Sequence, residues 1–101
     1  MDNDALNRYL EWRATAHGIE VFSKAVGIAL DMRKVGFKHY SIRSIAHNIR
    51  FHHDLKHGPG PEGFKVNNNF LSFLAREIMR TRPELEGFFE IRDASSQREA
   101  A

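Results

Sequence analysis

Cysteine is missing altogether from this 101-residue chain, which excludes disulfides, thiolate nucleophiles and Cys-ligated zinc or iron–sulfur centres. No uninterrupted apolar run approaches the ~18 to 20 residues of a membrane span. The acidic start Met1-Asp2-Asn3-Asp4 is unlike a secretory or transit peptide, so a soluble cytoplasmic protein with no membrane partner is expected. The seven glycines form neither a GxGxxG run nor a P-loop. In Gly58-Pro59-Gly60-Pro61, prolines stand where phosphate-cradling backbone N–H groups would be needed. Paired carboxylates for acid–base work are absent too, since the neighbours His53 and Asp54 point apart on a helix. The expectation is a protein that is not an enzyme and carries no cofactor.

Eight phenylalanines are present, enough for one packed core in a chain of this size. The domain is expected over residues 1–94, with residues 95–101 as a disordered tail. Charge is unevenly spread beneath a formal total of +2. Residues 33–82 hold ten Lys/Arg against Asp54, Glu62 and Glu77, a net +7, whereas residues 1–32 carry −2 and residues 83–101 carry −3. Five of the six histidines also lie in the middle. A basic centre between acidic flanks suggests a surface that meets a polyanion; the plainer alternative is long cationic side chains that only solvate helix faces.

Hydrophobic spacing predicts four helices. Asp2, Asn3 and Asp4 offer caps for the first, over about residues 5 to 16, with Gly18 as its stop. Tyr9 and Trp12 lie on it beside Leu6 and Leu10, in positions for core packing or a helix-mediated dimer contact rather than base stacking. The second, about residues 20 to 35, aligns Phe22, Ala25, Val26, Ala29 and Leu30 and ends at Gly36. Ser41 caps a third, with Ile42, Ile45, Ala46 and Ile49 inward and Arg43, His47, Arg50 and Asp54 outward. His57–Gly63 reads as an exposed loop. The Asn67-Asn68-Asn69 triplet precedes a fourth helix, about residues 70 to 81, with Leu71, Leu74, Ala75 and Ile78 inward and Asn69, Ser72, Arg76 and Arg80 outward. Phe88–Arg92 alternates like a strand, and its Phe88–Ile91 part is expected to pair with Phe64–Val66.

The predicted fold is mainly α, a small four-helix domain with a short two-stranded β element, resembling a winged helix-turn-helix. In that geometry the fourth helix enters the major groove. Asn68, Asn69, Ser72, Phe73 and Arg76 would face base edges, while Arg43, Arg50, Lys65, Arg80 and Arg82 would contact phosphates. Capping and turning are the competing roles for at least two of the asparagines. The connection over about residues 55 to 67 exceeds the ~3 to 4-residue turn of a compact helix-turn-helix, so an insertion is required. His53 and His57 have the i,i+4 spacing of zinc ligands, yet no third ligand completes a site, and no metal is expected.

Residues 64–92, FKVNNNFLSFLAREIMRTRPELEGFFEIR, with GFKHYSIRSIAHNIRF upstream, resemble a family of short phage, prophage and bacterial mobile-element proteins. That family carries an F-K-x-N-N-N, A-R-x-x-M and P-x-L-x-G-F-F-E-x-R series. The likeness spans about two thirds of the chain on several spaced elements. Its motif positions here are Phe64, Lys65, Asn67, Asn68, Asn69, Ala75, Arg76, Met79, Pro83, Leu85, Gly87, Phe88, Phe89, Glu90 and Arg92. The resemblance implies a phage or mobile-element setting inside a bacterial host cell; it implies no reaction and no target. Two functions are thus expected. One is a DNA-binding protein, a transcription regulator with duplex DNA as partner and a homodimer allowed. The other is an accessory protein that binds a host or phage protein through Phe73, Phe88 or Trp12.

Overall fold

Three short polar side chains set where the helices of this protein begin. In the computed structural model, which describes residues 3–59 and 66–90, the order is α1 (Asn3–Arg13), α2 (Ala16–Lys34), α3 (Ile42–His57) and α4 (Leu71–Thr81). A 3₁₀ turn (Asn68–Phe70) leads into α4, and a second (Pro83–Leu85) follows it. Thr15 caps α2, its hydroxyl accepting the Gly18 N–H at 3.0 Å. Ser41 caps α3 by accepting from Ser44 N–H at 3.2 Å, and the Asn67 side chain accepts from Asn69 N–H at 2.8 Å. Each bond satisfies a donor that the first helical turn leaves without a partner.

Gly18 does not end α1. It lies buried in the first turn of α2, where a Cβ would stand 2.1 Å from the Trp12 carbonyl oxygen. The missing side chain lets the α1–α2 corner close. At the other end of α2 the expected stop holds: Gly36 adopts φ +116, with Gly36 N–H on Arg33 O at 3.1 Å and Phe37 N–H on Met32 O at 3.0 Å. This is the Schellman pattern, which needs a left-handed residue after the helix.

The core is formed by Val21, Ala25 and Ala29 of α2, Ile45 and Ile49 of α3, and Leu74, Ala75 and Ile78 of α4, all buried. Each fully buried Ile or Leu stabilises by roughly 1.5–3 kcal/mol. Small alanines on α2 and α4 let the helix axes approach. An aromatic group closes the α1 side, with Tyr9 stacked on Phe73 at 5.4 Å and edge-on to Phe70 at 5.8 Å. Trp12 lies 5.3 Å from Phe70. Of the two roles open to Tyr9 and Trp12, core packing is the one they fill here.

The expected β element is absent among the described residues, which contain no strand, and with it the winged helix-turn-helix arrangement. Phe88 and Phe89 are adjacent and both buried, whereas a strand packed on one face sends neighbours to opposite sides. The Pro83–Leu85 turn and Gly87, at φ +74, fold this segment back so that Leu85 and both phenylalanines enter the core. The Phe88 carbonyl accepts one bond from Tyr40 N–H at 3.2 Å, which ties the segment to the α2–α3 connection without a ladder. The other half of the proposed ribbon, Phe64 and Lys65, and the strand's end at Ile91 and Arg92, lie outside the described residues, as do Gly60–Gly63 and the 95–101 tail. The α3–α4 connection runs from Gly58 through Asn67 before the 3₁₀ turn, too long for a helix-turn-helix corner.

Candidate nucleic-acid interface

Arg43, His47, Arg50 and Asp54 stand on the solvent side of α3, all exposed, because Ile45, Ala46 and Ile49 take the inner side. Arg50 Nε is 3.9 Å from Asp54 Oδ2, and His53 Nδ1 is 3.9 Å from Asp54 Oδ1. These are loose contacts at an exposed site and stabilise little. Arg43 and Lys56 have no carboxylate partner among the described residues.

On α4 the inner stripe Leu71, Leu74, Ala75 and Ile78 is buried, which leaves Arg76 and Arg80 exposed one turn apart. Asn67 is consumed by capping; Asn68 and Asn69 are exposed beside it. Ser72 is half-buried. Phe73 is also half-buried, and its stacking on Tyr9 commits a ring face to packing. Lys65 lies outside the described residues. The candidate contacts therefore form two groups, Arg43 with Arg50 on α3, and Asn69 of the 3₁₀ turn with Arg76 and Arg80 of α4. The aromatic residues expected to anchor a protein partner point elsewhere: Phe88 is 1% exposed, and Trp12 and Phe73 pack against the core. Among the described residues, the exposed phenylalanines are instead Phe51 and Phe37, at 58% and 46%.

Sequence spacing alone misses a polar tie between α1 and α4. Glu77 Oε1 accepts the Tyr9 hydroxyl at 2.5 Å and Arg13 Nε at 3.2 Å, and the Arg13 guanidinium lies 3.8 Å over the Phe22 ring. Burial and the Glu77 carboxylate push the Tyr9 phenol well above its ordinary range. The available signal is Arg13 recurring with Tyr9 on the inner stripe of α1. Beside this tie an open groove of about 310 Å³ is lined by Arg13, Phe22, Ser23, Val26, Leu30 and Arg82 among others. That volume is at the lower edge of small-molecule sites, and its two guanidiniums already face Glu77 and Glu84. No acid–base pair converges there.

A second tie joins α1 to α2. Trp12 Nε1–H donates to His17 Nδ1 at 2.9 Å; an indole N–H only donates, so this bond requires the neutral imidazole with its hydrogen on Nε2. Burial lowers the His17 pKa, nearby His53 lowers it further, and Glu20 opposes the shift. The unfolded chain then binds more protons than the folded one below the ordinary histidine value, so stability rises with pH there. It is fully present above about pH 6.5 and is lost as pH falls through the depressed folded value. Urea midpoints read by the single tryptophan are expected to drop over that window, and His17→Gln is expected to flatten the drop.

His53 and His57 rings lie 4.4 Å apart, and no group of three His, Cys, Asp or Glu among the described residues is placed to hold a metal. No helix among them is long and apolar enough to cross a membrane. No family model fits the chain, and neither a curated protein nor a solved structure matches it.

Proposed function

We propose that this chain is a small phage or mobile-element protein that binds nucleic acid, with duplex DNA as its target and regulation of transcription in a bacterial host as its role. The basic stripe of α3 and the Asn69–Arg80 face of α4 make the contacts, by a docking mode other than the winged helix-turn-helix. One observation carries the proposal. On α1 and α2, Asp4 pairs with Arg8 and Glu20 with Lys24, Glu11 and Asp31 stand exposed without a cation partner among the described residues, and Glu77 is held by Arg13. Meanwhile Lys34, Lys38, Arg43, Lys56 and Arg80 stand exposed without a carboxylate partner among the described residues. These five cations lie outside the ion pairs among the described residues, and three of them, Arg43, Lys56 and Arg80, belong to α3 and α4. Phosphates are the partners this arrangement suits, Arg binding them in a bidentate way.

Fluorescence anisotropy of a labelled random duplex at two salt concentrations tests it. Binding is expected to fall steeply with salt, and replacing Arg76 and Arg80 together by Ala is expected to lower the log–log slope by roughly two. No binding at low salt would remove the assignment.

A further inference from the structure

We propose that Phe51 is a stacking platform for an unpaired base, so that the outer surface of α3 holds single-stranded nucleic acid. The proposal rests on the nucleic-acid reading above and goes beyond it, adding single strands to the duplex as a ligand of the same basic helix. Phe51 is 58% exposed and Leu55, one turn on, is 69% exposed, although α3 already has a complete inner stripe in Ile45, Ala46 and Ile49. These two side chains therefore contribute nothing to the core. The Phe51 ring makes a T-shaped contact with His52 at 5.4 Å and 74°, an arrangement that occupies at most one of its two faces and leaves the other for an outside group. His47 lies one turn before it, and the Arg43–Arg50 stripe runs alongside on the same helix. From Arg43 to Leu55 is about 18 Å of helix axis, a length that an unpaired strand can follow.

Charge decides the occupant. Arg43, His47, Arg50, His52 and Lys56 surround the apolar pair with Asp54 as the one acid of α3, and Asp54 already faces Arg50 and His53. A second copy seated here would bring Arg43, Arg50 and Lys56 face to face with their own counterparts across a two-fold axis, which is repulsive. A polyanion that also offers flat apolar rings satisfies both features at once. In a duplex those ring faces are covered by neighbouring bases; in a single strand they are open, and base stacking on an aromatic ring tolerates any sequence.

The test is anisotropy with three labelled probes: oligo(dT) of about 15 nucleotides, an abasic strand of the same length, and a random duplex. The expected result is that oligo(dT) binds more tightly than the abasic strand. Phe51→Ala is expected to weaken oligo(dT) binding on the order of tenfold with an unchanged salt slope and unchanged abasic and duplex binding, while Phe51→Tyr retains the affinity. Equal binding of oligo(dT) and the abasic strand overturns the proposal, as does a Phe51→Ala protein that binds oligo(dT) like wild type. A loss shared equally by the duplex also overturns it, as does a Phe51-dependent protein partner with nucleic-acid binding untouched. Salt-sensitive duplex binding beside a silent Phe51→Ala removes only this inference, whereas silence of all three probes at low salt removes the nucleic-acid reading itself.

Discussion

Alanine at position 18 is expected to open the α1–α2 corner and to destabilise the fold by about 3 kcal/mol. The added Cβ would lie 2.1 Å from Trp12 O, 2.7 Å from Arg13 Cα and 2.8 Å from Trp12 C. All three are backbone atoms, so no side chain can swing aside. The backbone there is also held by the corner's own bonds. The Thr15 hydroxyl donates to Trp12 O at 2.6 Å while accepting from Gly18 N–H at 3.0 Å, and Thr15 N–H bonds Trp12 O at 3.0 Å. Making room means breaking this set and drawing Trp12 from His17 and Arg13 from Glu77. Better helix propensity returns at most about 1 kcal/mol, so the steric term wins. Gly27 supplies the internal contrast, since it is exposed in the same helix and a Cβ there meets nothing within 4 Å. Gly27→Ala is expected to raise the thermal midpoint slightly, and Gly18→Ala to lower it by roughly 12–24 °C. Circular dichroism melts of the pair decide it; equal midpoints would sink the account of the corner.

The same glycine explains one difference between sequence and structure. A glycine after an amphipathic run has two meanings, a left-handed stop and a close approach, and the choice depends on which backbone crosses it in space. Gly36 is the first kind and Gly18 the second. Legibility was high where periodicity acts through one helix, as in the Leu71, Leu74, Ala75 and Ile78 stripe or the Ser41 cap, because those features are local. It failed at Phe88–Phe89, where alternation suggests a strand but the Pro83–Leu85 turn upstream rotates both rings into the core. It failed for Phe73 because its partner, Tyr9, is on the far side of the sequence. The cations of the candidate interface were visible as charge. The helical spacing already puts Phe51 opposite the Ile45, Ala46 and Ile49 stripe; that no other element among the described residues covers its ring is a matter of tertiary packing, which periodicity along one helix does not carry.

Glu77→Ala is expected to cost about 2–4 kcal/mol, the second large effect. The carboxylate is the shared acceptor for Tyr9 and Arg13, and its side chain and that of Arg13 are only 19% and 22% exposed. Removing it leaves a mostly buried phenol without its acceptor and a mostly buried cation without its anion, and each of those losses is a desolvation penalty rather than a missing contact. Tyr9→Phe removes one donor and leaves the ion pair, so it is expected to cost only about 1 kcal/mol. Glu77→Gln keeps an oxygen for the phenol and loses the charge opposite Arg13, which puts it between the two. Urea titrations followed by circular dichroism rank the three variants, and a Glu77→Ala protein within about 0.5 kcal/mol of wild type would show that the tie is ornamental. The ranking also separates stability from binding. Glu77 fastens α4 to α1 from the inner side while Arg76 and Arg80 face solvent, so well below its melting midpoint Glu77→Ala is expected to bind duplex as wild type does. The Arg76→Ala, Arg80→Ala protein should show the reverse, an unshifted midpoint and a flattened salt slope, because exposed cations contribute to the ligand they meet and hardly at all to the fold that carries them.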